Sequence, residues 1–455
     1  MSNDAYRTLV DSTLTKGVSR RKLLGGAAAA GAGAALFTPK RFYVGRAQTQ
    51  TPVTFWTTFT EPDLGILQSI TDDFNAENPD VLVTLVQIPP AEVTDVSKLV
   101  TAVRGGEGPD VYHMDRFIVA QYAAAGALTD LSTLSGDVDP LEGYLPFARA
   151  EATYDEKPYA VPFDTDTRAL YYNKTMLTEA GADLAEFDAA NGPVTWDRVA
   201  EIATALNVKG TNGQYEKVGF VPWFNQGWHY TYGFSWNGVF YDEAACQVTP
   251  NNAEVVAAFQ WVYDYCAAQG PQELQAFAGE SKTPGFPAQE NYFTIGTTAF
   301  QITGDWHLRQ MEQYGPEVDY GVTYIPVPAA GDAPSTWAGG WSLVIPEGAN
   351  EPEAAYRFAT YMAGEPGQRK YTLESAHLPT IESLVTVPEL YDEGHKFFSE
   401  QLLPIAKNRP PLPVGALYWD ELTLAWEATY LNESTPQEAL DRVAETVNGE
   451  LQRFC

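Results

Sequence analysis

Basic residues are scarce in this chain of 455 residues. It has 28 lysines and arginines against 59 aspartates and glutamates, which gives a formal net charge of −31 at pH 7. Such an excess of negative charge argues against nucleic acid and against an anionic membrane surface as partners. It also disfavours an anionic substrate, unless a local basic pocket overrides the overall field.

The sequence also lacks the motifs of the common enzyme classes. It contains no glycine-rich phosphate loop with a lysine, no G-x-S-x-G, no H-E-x-x-H and no cysteine pairs at zinc spacing. The five histidines are scattered, at His113, His229, His307, His377 and His395. We therefore predict a protein that is not an enzyme, with no metal site and no cofactor. Carboxylates are plentiful enough to supply the acid pair of a glycosidase, so an exported glycan-acting enzyme stays as an alternative.

Only three cysteines are present, Cys246, Cys266 and Cys455. In an oxidising compartment Cys246 and Cys266 could pair and close a short loop, which would leave Cys455 unpaired. The alternative is that Cys246 and Cys266 are buried free thiols. The sequence does not decide between the two.

The first fifty residues are typical of an export signal. Arg20 and Arg21 precede a short, mildly apolar stretch at 23–37, and Gly45-Arg46-Ala47 follows as a candidate cleavage site. The arginine pair indicates the twin-arginine route. A membrane anchor is the alternative, but the stretch is short and weakly apolar for one. We predict that residues 1–50 are signal and leader and that the protein works in the periplasm or on the cell-surface side of the membrane, whether the signal is cleaved or kept.

The stretch from Tyr159 to Asn173, YAVPFDTDTRALYYN, contains two strand-like runs around five polar residues. These include Asp164, Asp166 and Arg168, at a point where a surface turn would carry Gly or Asn. A chain of this length is too long for one core, so two or more lobes are expected. We predict that the polar residues interrupt the strand and cross a wet cleft between two lobes. An ordinary polar loop is the alternative.

Strand and helix patterns alternate over residues 52–114. Apolar residues at helical spacing mark helices at 62–76 and 93–103, which separate strand-like runs at 52–59, 81–88 and 109–114. This alternation is typical of a parallel sheet, and ligands bind at the carboxyl ends of such strands. Trp56 falls at one of those ends, and the sequence neighbours Asp115 and Arg116 fall at another.

Short motifs then follow in a characteristic order over nearly the whole chain after the signal. They are FNAENP (74–79), GPDVY (108–112), AAGALTDL (124–131), PYAVP (158–162), LYYNK (170–174), VTWD (194–197), GTTAFQITGDW (296–306), WAGGWSL (337–343) and TPQEAL (435–440). Each motif alone is weakly specific. The ordered set resembles the extracellular solute-binding proteins of carbohydrate ABC importers, the maltose-binding-like family.

The resemblance implies an α/β, two-lobed periplasmic-binding-protein type II fold. Each lobe would have a mainly parallel sheet with flanking helices, and the ligand cleft would lie between the lobes. Lobe 1 is expected to comprise residues 51–163 and 338–375, and lobe 2 residues 164–337 and 376–455. The chain should cross between them, and bend, near residues 161–168, 336–340 and 376–382.

The resemblance also implies a function. The chain would be an exported, monomeric component of an ABC sugar importer that binds a mono- or oligosaccharide and delivers it to the membrane permease. Aromatic rings would cover the apolar faces of the sugar, and carboxylates and guanidinium groups would bond to its hydroxyls. The same fold binding a non-sugar solute is a second alternative. The predicted ligand-binding residues are Trp56, Asp115, Arg116, Asp164, Asp166, Arg168, Trp228, Tyr230, Trp306, Gly340, Trp341 and Trp419.

Overall fold

The computed structural model describes residues 50–89, 96–279 and 286–455. Apart from Gln50, the predicted export signal lies outside these residues. The described chain from Thr51 onwards forms one unit. Within it, no helix has both the length and the apolar character needed to cross a membrane.

The described residues form short strands and helices in alternation. The strands are Thr51–Thr57 (β1), Val81–Gln87 (β2), Val111–Asp115 (β3), Thr153–Tyr154 (β4), Lys157–Pro158 (β5), Ala160–Pro162 (β6), Asp164–Asn173 (β7), Val208–Lys209 (β8), Tyr215–Lys217 (β9), Tyr241–Asp242 (β10), Gln247–Val248 (β11), Phe300–Gly304 (β12), Tyr320–Thr323 (β13), Thr336–Gly339 (β14), Trp341–Val344 (β15), Leu378–Pro379 (β16) and Ala406–Asn408 (β17). The α-helices are Asp63–Glu77 (α1), Ser97–Gly105 (α2), Val119–Ala124 (α3), Ser132–Ser135 (α4), Pro146–Glu151 (α5), Lys174–Glu179 (α6), Trp196–Leu206 (α7), His229–Ser235 (α8), Ala253–Gln269 (α9), Pro271–Ala278 (α10), His307–Tyr314 (α11), Pro352–Met362 (α12), Glu365–Ser375 (α13), Glu382–Val385 (α14), Glu393–Lys396 (α15), Gly415–Tyr430 (α16) and Pro436–Leu451 (α17).

The first of two large sheets has the strand order β2-β1-β3-β15-β6. β1 pairs in parallel with β2 and β3, so the predicted β-α-β-α-β alternation is confirmed. The helix expected at 93–103 begins at Ser97 in the described residues. β15 lies antiparallel to β3 and β6, because it enters directly from the second sheet and not through a crossover helix. The sheet is therefore mixed.

The second sheet is organised around β7 and has the order β12-β7-β14-β17. β12, β13, β14 and β16 all pair with β7 antiparallel, and β14 pairs with β17 in parallel. This differs from the predicted mainly parallel sheet. The reason is the length of β7, whose ten residues serve several short strands that return to it in the opposite direction.

The polar residues 164–168 lie inside β7 and do not interrupt a strand, so that prediction was wrong. All ten residues of β7 are buried. Neighbouring strands satisfy the polar groups: the Gly339 amide donates to Asp166 at 2.6 Å, and the Arg168 amide donates to Thr336 Oγ1 at 3.0 Å. A polar run is compatible with a buried strand when distant residues supply its hydrogen bonds.

Two large hydrophobic cores support the sheets, and a third, smaller core contains Tyr171 of β7 and Phe398. One lies at the first sheet, where Phe55 and Phe74 pack against Phe358 of α12 with ring centroids 5.3 and 5.2 Å apart. The other is larger and rich in aromatic rings, and it contains Trp196 at the start of α7 and Trp426 of α16. The second core also includes Tyr112 and Phe117 from the first sheet's side, so apolar packing is continuous where the two sheets meet.

Cys246 pairs with Cys455, with Cα atoms 6.2 Å apart, and Cys266 is a buried free thiol. The predicted bond between Cys246 and Cys266 was therefore wrong, and the alternative of buried free thiols is confirmed for Cys266 but not for Cys246. The cause is the docking of α17 on the β10–β11 hairpin. There the Asn448 side chain accepts from the Val248 amide at 2.8 Å and donates to its carbonyl at 3.0 Å, which brings the chain end beside Cys246. Cys266 faces the core from α9.

Candidate ligand-binding site between the sheets

The chain passes from one sheet to the other at Phe163 and again at Gly340. β6 ends in the first sheet at Pro162 and β7 begins in the second sheet at Asp164, while β14 and β15 are separated only by Gly340. Gly340 has φ 130°, and an added Cβ would collide with the Asp164 carbonyl oxygen and the guanidinium of Arg116. Only glycine fits a backbone of this conformation at so close an approach.

Arg116 holds the two crossings together. Its side chain is fully buried and its Nε donates to Glu151 at 2.8 Å. One terminal nitrogen donates to the Asp164 carbonyl and the other to the Gly339 carbonyl at 2.6 Å. The Arg116 amide also donates to the Gly340 carbonyl at 3.1 Å. The guanidinium therefore bonds to protein acceptors on both crossing strands.

Asp115 pairs with a residue that the sequence had not marked. Arg409, just after β17, donates to its two carboxylate oxygens at 2.6 and 3.2 Å. The guanidinium carbon lies 4.0 Å from the centroid of Phe117 and 5.1 and 5.5 Å from those of Trp337 and Trp419. Asp115 ends a strand of the first sheet and Arg409 follows a strand of the second, so this ion pair joins the two.

Arg168 lies on the second sheet between two tryptophans. It pairs with Asp166, and its guanidinium carbon is 3.5 Å from the centroid of Trp337 and 5.6 Å from that of Trp306. The Gln226 side-chain oxygen accepts from two of its nitrogens at 3.2 Å. Gln226 and Trp306 are only half-buried, so this group forms a polar and aromatic surface at the edge of β7.

A buried acidic cluster surrounds His377, which directly precedes β16. His377 Nδ1 lies 3.3 Å from Asp164 and 3.8 Å from Asp305, and its ring stacks between Trp306 and Tyr371 at 5.1 and 5.3 Å. Burial, reinforced by the charge of the neighbouring Asp166, raises the pKa of Asp164 and of Asp305 well above the ordinary value. Burial also lowers the pKa of His377 to about 4, so the imidazole is neutral at pH 7.

Two groups of aromatic rings flank these charged residues. Trp419 packs against four rings with centroids 4.8 to 6.0 Å away, those of Phe117, Trp228, His229 and Tyr230. Trp341 packs against the rings of Phe59, which follows β1, and His113 of β3, with centroids 4.8 and 5.0 Å away. Half-buried rings in these groups, such as Trp228, Trp341 and Phe59, present the type of surface on which a sugar stacks.

Most of the residues predicted from the sequence do meet at the crossings. The exceptions are Tyr230 and Trp56. Tyr230 is 2% exposed and packs into the second core against Phe240 at 4.4 Å. Trp56 is half-buried in β1, where it pairs with Tyr112 of β3 and packs against the aromatic second core. Trp419 is buried, with only 4% of its surface exposed. The sequence around it is polar because the next residue, Asp420, is exposed on α16.

Sequence reasoning missed several residues of this region. Among them are Arg409, His377, Asp305, Trp337 and Phe59. Asp305 and Trp337 fall inside motifs noted above, so their neighbourhood was visible even though their roles were not. Arg409 has no local signal, because its partner Asp115 is 294 residues away.

Charge pairing limits what the site can bind. Each buried arginine has its own carboxylate: Arg116 pairs with Glu151, Arg168 with Asp166, and Arg409 with Asp115. Within the described part of the chain these are the arginines at the crossings, so no unpaired guanidinium remains there for an anion. The arrangement instead offers aromatic faces and oxygen and nitrogen atoms that bond to neutral hydroxyls.

Comparison with known proteins places the chain in a family. The family model described as "Bacterial extracellular solute-binding protein" matches residues 56–369. The maltotriose-binding protein of Pyrococcus abyssi (strain GE5 / Orsay) is 23% identical over 372 residues, which is 81% of this chain and 75% of that protein. The sn-glycerol-3-phosphate-binding periplasmic protein UgpB of Escherichia coli (strain K12) is 25% identical over 444 residues, 90% of this chain and 95% of that protein.

A solved structure supports the fold. The structure of CpMnBP1 with mannotriose bound has a TM-score of 0.76 and 22% identity, covering 88% of this chain and all of that one. The two-lobed α/β class expected from the sequence is thereby confirmed. Because the family model spans well over half of the sequence, the chain belongs to the bacterial extracellular solute-binding proteins.

Proposed function

We propose that this protein binds a mono- or oligosaccharide between its two sheets and delivers it to the membrane permease of an ABC importer. The observation that carries the proposal is the site at the crossings, where half-buried aromatic rings lie beside carboxylates and charge-paired guanidinium groups. Such groups recognise the apolar faces and the hydroxyls of a neutral sugar. Relatives named for maltotriose and galactooligosaccharide binding support the same ligand class.

Glycerol phosphate is the second candidate, because UgpB is matched over more of the chain than the maltotriose-binding relative. The pairing of Arg116, Arg168 and Arg409 argues against it. A phosphate would have to compete with a buried carboxylate for each guanidinium, and it would enter a chain of net charge −31.

A ligand screen tests the choice. The melting temperature of the chain from residue 51 onwards should rise when a saccharide is added, because a ligand that binds only the folded state raises the apparent stability. Maltotriose, mannotriose and galactooligosaccharides form one arm, and sn-glycerol-3-phosphate and glycerophosphocholine form the other. Calorimetric titration then gives the affinity. A shift with the phosphate arm alone would refute the saccharide proposal.

Members of this family are solute-binding proteins, and we propose that this chain likewise has no catalytic activity. It would be exported by the twin-arginine route and act as a monomer outside the cytoplasm. Incubation with maltotriose or mannotriose, followed by chromatography of the sugars, tests the catalytic alternative. Cleavage products that depend on the protein would favour an exported glycan-acting enzyme.

We also propose that the lobes comprise residues 51–163 with 338–375 and residues 164–337 with 376–455, and that they close on the ligand by bending at the crossings. In this arrangement Arg116 is a positioning residue, since its donors are bonded to Glu151 and to the two crossing strands. Small-angle scattering should give a smaller radius of gyration with saturating saccharide. An equal radius in both states would count against closure on ligand.

A further inference from the structure

Two buried carboxyl groups beside His377 have no arginine or lysine of their own. Asp164 begins β7 and is 1% exposed, and Asp305 directly follows β12 and is fully buried. Among the residues that the structure describes, His377 is the side chain within ion-pair distance of either carboxyl, at 3.3 and 3.8 Å from Nδ1. Arg116 and Arg168 act on the two carboxyls through space, but each is already paired with another carboxylate. We call Asp164, Asp305 and His377 the His377 cluster.

One added proton would relieve the charge of this cluster. Two ionised carboxylates without a counter-ion are costly to bury, and protonating one of them removes the repulsion between them. Asp164 Oδ2 and His377 Nδ1 are both buried and lack a hydrogen-bond partner, although they lie 3.3 Å apart. A proton shared by this carboxyl and the imidazole supplies the missing bond. Asp305 can keep its charge, because the Trp306 and Thr167 amides donate to its two oxygens at 2.9 and 3.1 Å.

Residues of the first sheet's side cover the His377 cluster. The ring of Tyr371, part of the first core, stacks on His377 with centroids 5.3 Å apart, and the Trp341 amide donates to Asp164 at 2.6 Å. The half-buried Trp306 lies on the other face of the imidazole. In the proposed lobe arrangement Tyr371 and Trp341 belong to lobe 1, whereas the cluster belongs to lobe 2. Bending that moves the lobes apart would therefore uncover the cluster and let water solvate its charges.

The other titratable groups around the cluster leave this balance unchanged. Besides the two arginines and Asp166, which pairs with Arg168, they are Asp63, His113, Tyr171, Tyr371, Tyr391 and His395. Burial raises the pKa of the three tyrosines and lowers that of His113 to about 3 and of His395 to about 4, so all five are neutral at pH 7. Asp63 accepts from Tyr371 at 3.1 Å, and both lie in lobe 1, so bending does not separate them.

We infer that Asp164, Asp305 and His377 form a proton-linked switch for lobe closure: the closed form holds one added proton within the cluster, and the open form releases it to solvent at neutral and alkaline pH. The inference rests on the proposed function and on the proposed bending, and it makes saccharide affinity depend on pH. The alternative is that the cluster has the same protonation in both forms and only packs the lobes.

The direction of the pH dependence follows from the open form. In contact with water, an aspartate has a pKa of about 4 and a histidine of about 6.5. Above about pH 6.5 the open cluster holds no added proton, so closure takes one up and affinity falls as the pH rises. Below about pH 6.5 the open form already carries a proton on His377. Closure moves that proton to a carboxyl, because burial lowers the pKa of His377 to about 4, and net uptake disappears.

Calorimetric titration in buffers of different ionisation enthalpy measures the protons taken up on binding. The ligand is maltotriose or mannotriose, whichever binds the wild type. Wild type should take up about 0.5 to 1 proton at pH 7.5 and less than about 0.2 at pH 5.5. Its affinity should accordingly fall about threefold to tenfold for each pH unit between about pH 7 and 8.5.

Two substitutions change this profile in different ways. Asp305→Asn leaves one carboxylate beside a neutral imidazole, so closure needs no added proton and the uptake at pH 7.5 should vanish. His377→Gln removes the group that carries the proton in the open form, so uptake should remain at pH 7.5 and extend to pH 5.5. A purely structural role would produce neither change. Asp80→Asn is the matched control, because Asp80 forms an exposed ion pair with Arg357; its profile should equal that of wild type.

An absence of proton uptake at pH 7.5 in a wild type that binds the saccharide overturns the inference and leaves the proposed function intact. Uptake that Asp305→Asn and His377→Gln both leave unchanged at the two pH values also overturns it. If Asp305→Asn does not fold, the value for His377→Gln at pH 5.5 decides. If wild type binds no saccharide at all, the proposed function fails and the inference fails with it.

Discussion

Replacing Cys455 by Ser removes a cross-link whose contribution to stability follows from chain length. The disulfide joins Cys246 and Cys455 across a sequence separation of 209. In the chain-entropy model, closing a loop of this length lowers the entropy of the unfolded chain by about 18 cal/mol/K, which corresponds to about 5 kcal/mol at 25 °C. Cys455 is the exposed last residue, so the substitution removes little packing, and the loss should come almost entirely from the unfolded state.

The assay is equilibrium urea unfolding of the oxidised chain from residue 51, followed by tryptophan fluorescence and circular dichroism. Cys455→Ser, Cys246→Ser and the double variant should all lose the same free energy of unfolding, because each breaks the same link and the effects are therefore not additive. Dithiothreitol should lower the stability of wild type to that of the variants and leave the variants unchanged. Cys266→Ala is the control: it should stay sensitive to dithiothreitol, since this buried thiol takes no part in the bond.

A loss below about 1 kcal/mol in Cys455→Ser would contradict the chain-entropy argument, because the contribution expected from the loop length is several times larger. A double variant less stable than either single variant by more than about 0.5 kcal/mol would show that the cysteines act separately. Either result would refute the reasoning.

Three further predictions concern other parts of the chain. Replacing Arg20 and Arg21 by Lys should leave precursor in the cytoplasm, measured by fractionation and immunoblotting; normal export would exclude the twin-arginine route. Trp419→Ala should lower the free energy of unfolding by about 3 to 5 kcal/mol, because four rings pack against this buried indole; a stability loss under about 1 kcal/mol in urea would contradict this packing role. Burial raises the pKa of the Asp63 carboxyl to about 6. Between about pH 4 and 6 the folded state therefore binds more protons than the unfolded state. The stability that this group contributes is lost as the pH rises through that window. Asp63→Asn should therefore gain stability relative to wild type at pH 7.5 but not at pH 4; equal effects at both values would refute the shift.

The sequence by itself determined the family and the broad class of the fold. Strand and helix periodicity over residues 52–114 predicted β1 to β3 and the two helices between them, since these elements depend on local apolar spacing. The order of short motifs indicated a solute-binding protein, and the comparisons bear this out. The change of sheet at Phe163 falls within the range 161–168 expected for a crossing, although the polar run that follows it is strand and not loop.

The tertiary structure alone decided how distant side chains pair. The polar residues of β7 resemble a loop locally, but β14 supplies partners about 170 residues away and makes them a buried strand. Arg409 reaches Asp115 across 294 residues, and Cys455 reaches Cys246 across 209. Such pairs are set by the order and direction of strands and by the docking of whole helices. Local propensity carries no information on either, so these contacts emerged only from the assembled fold.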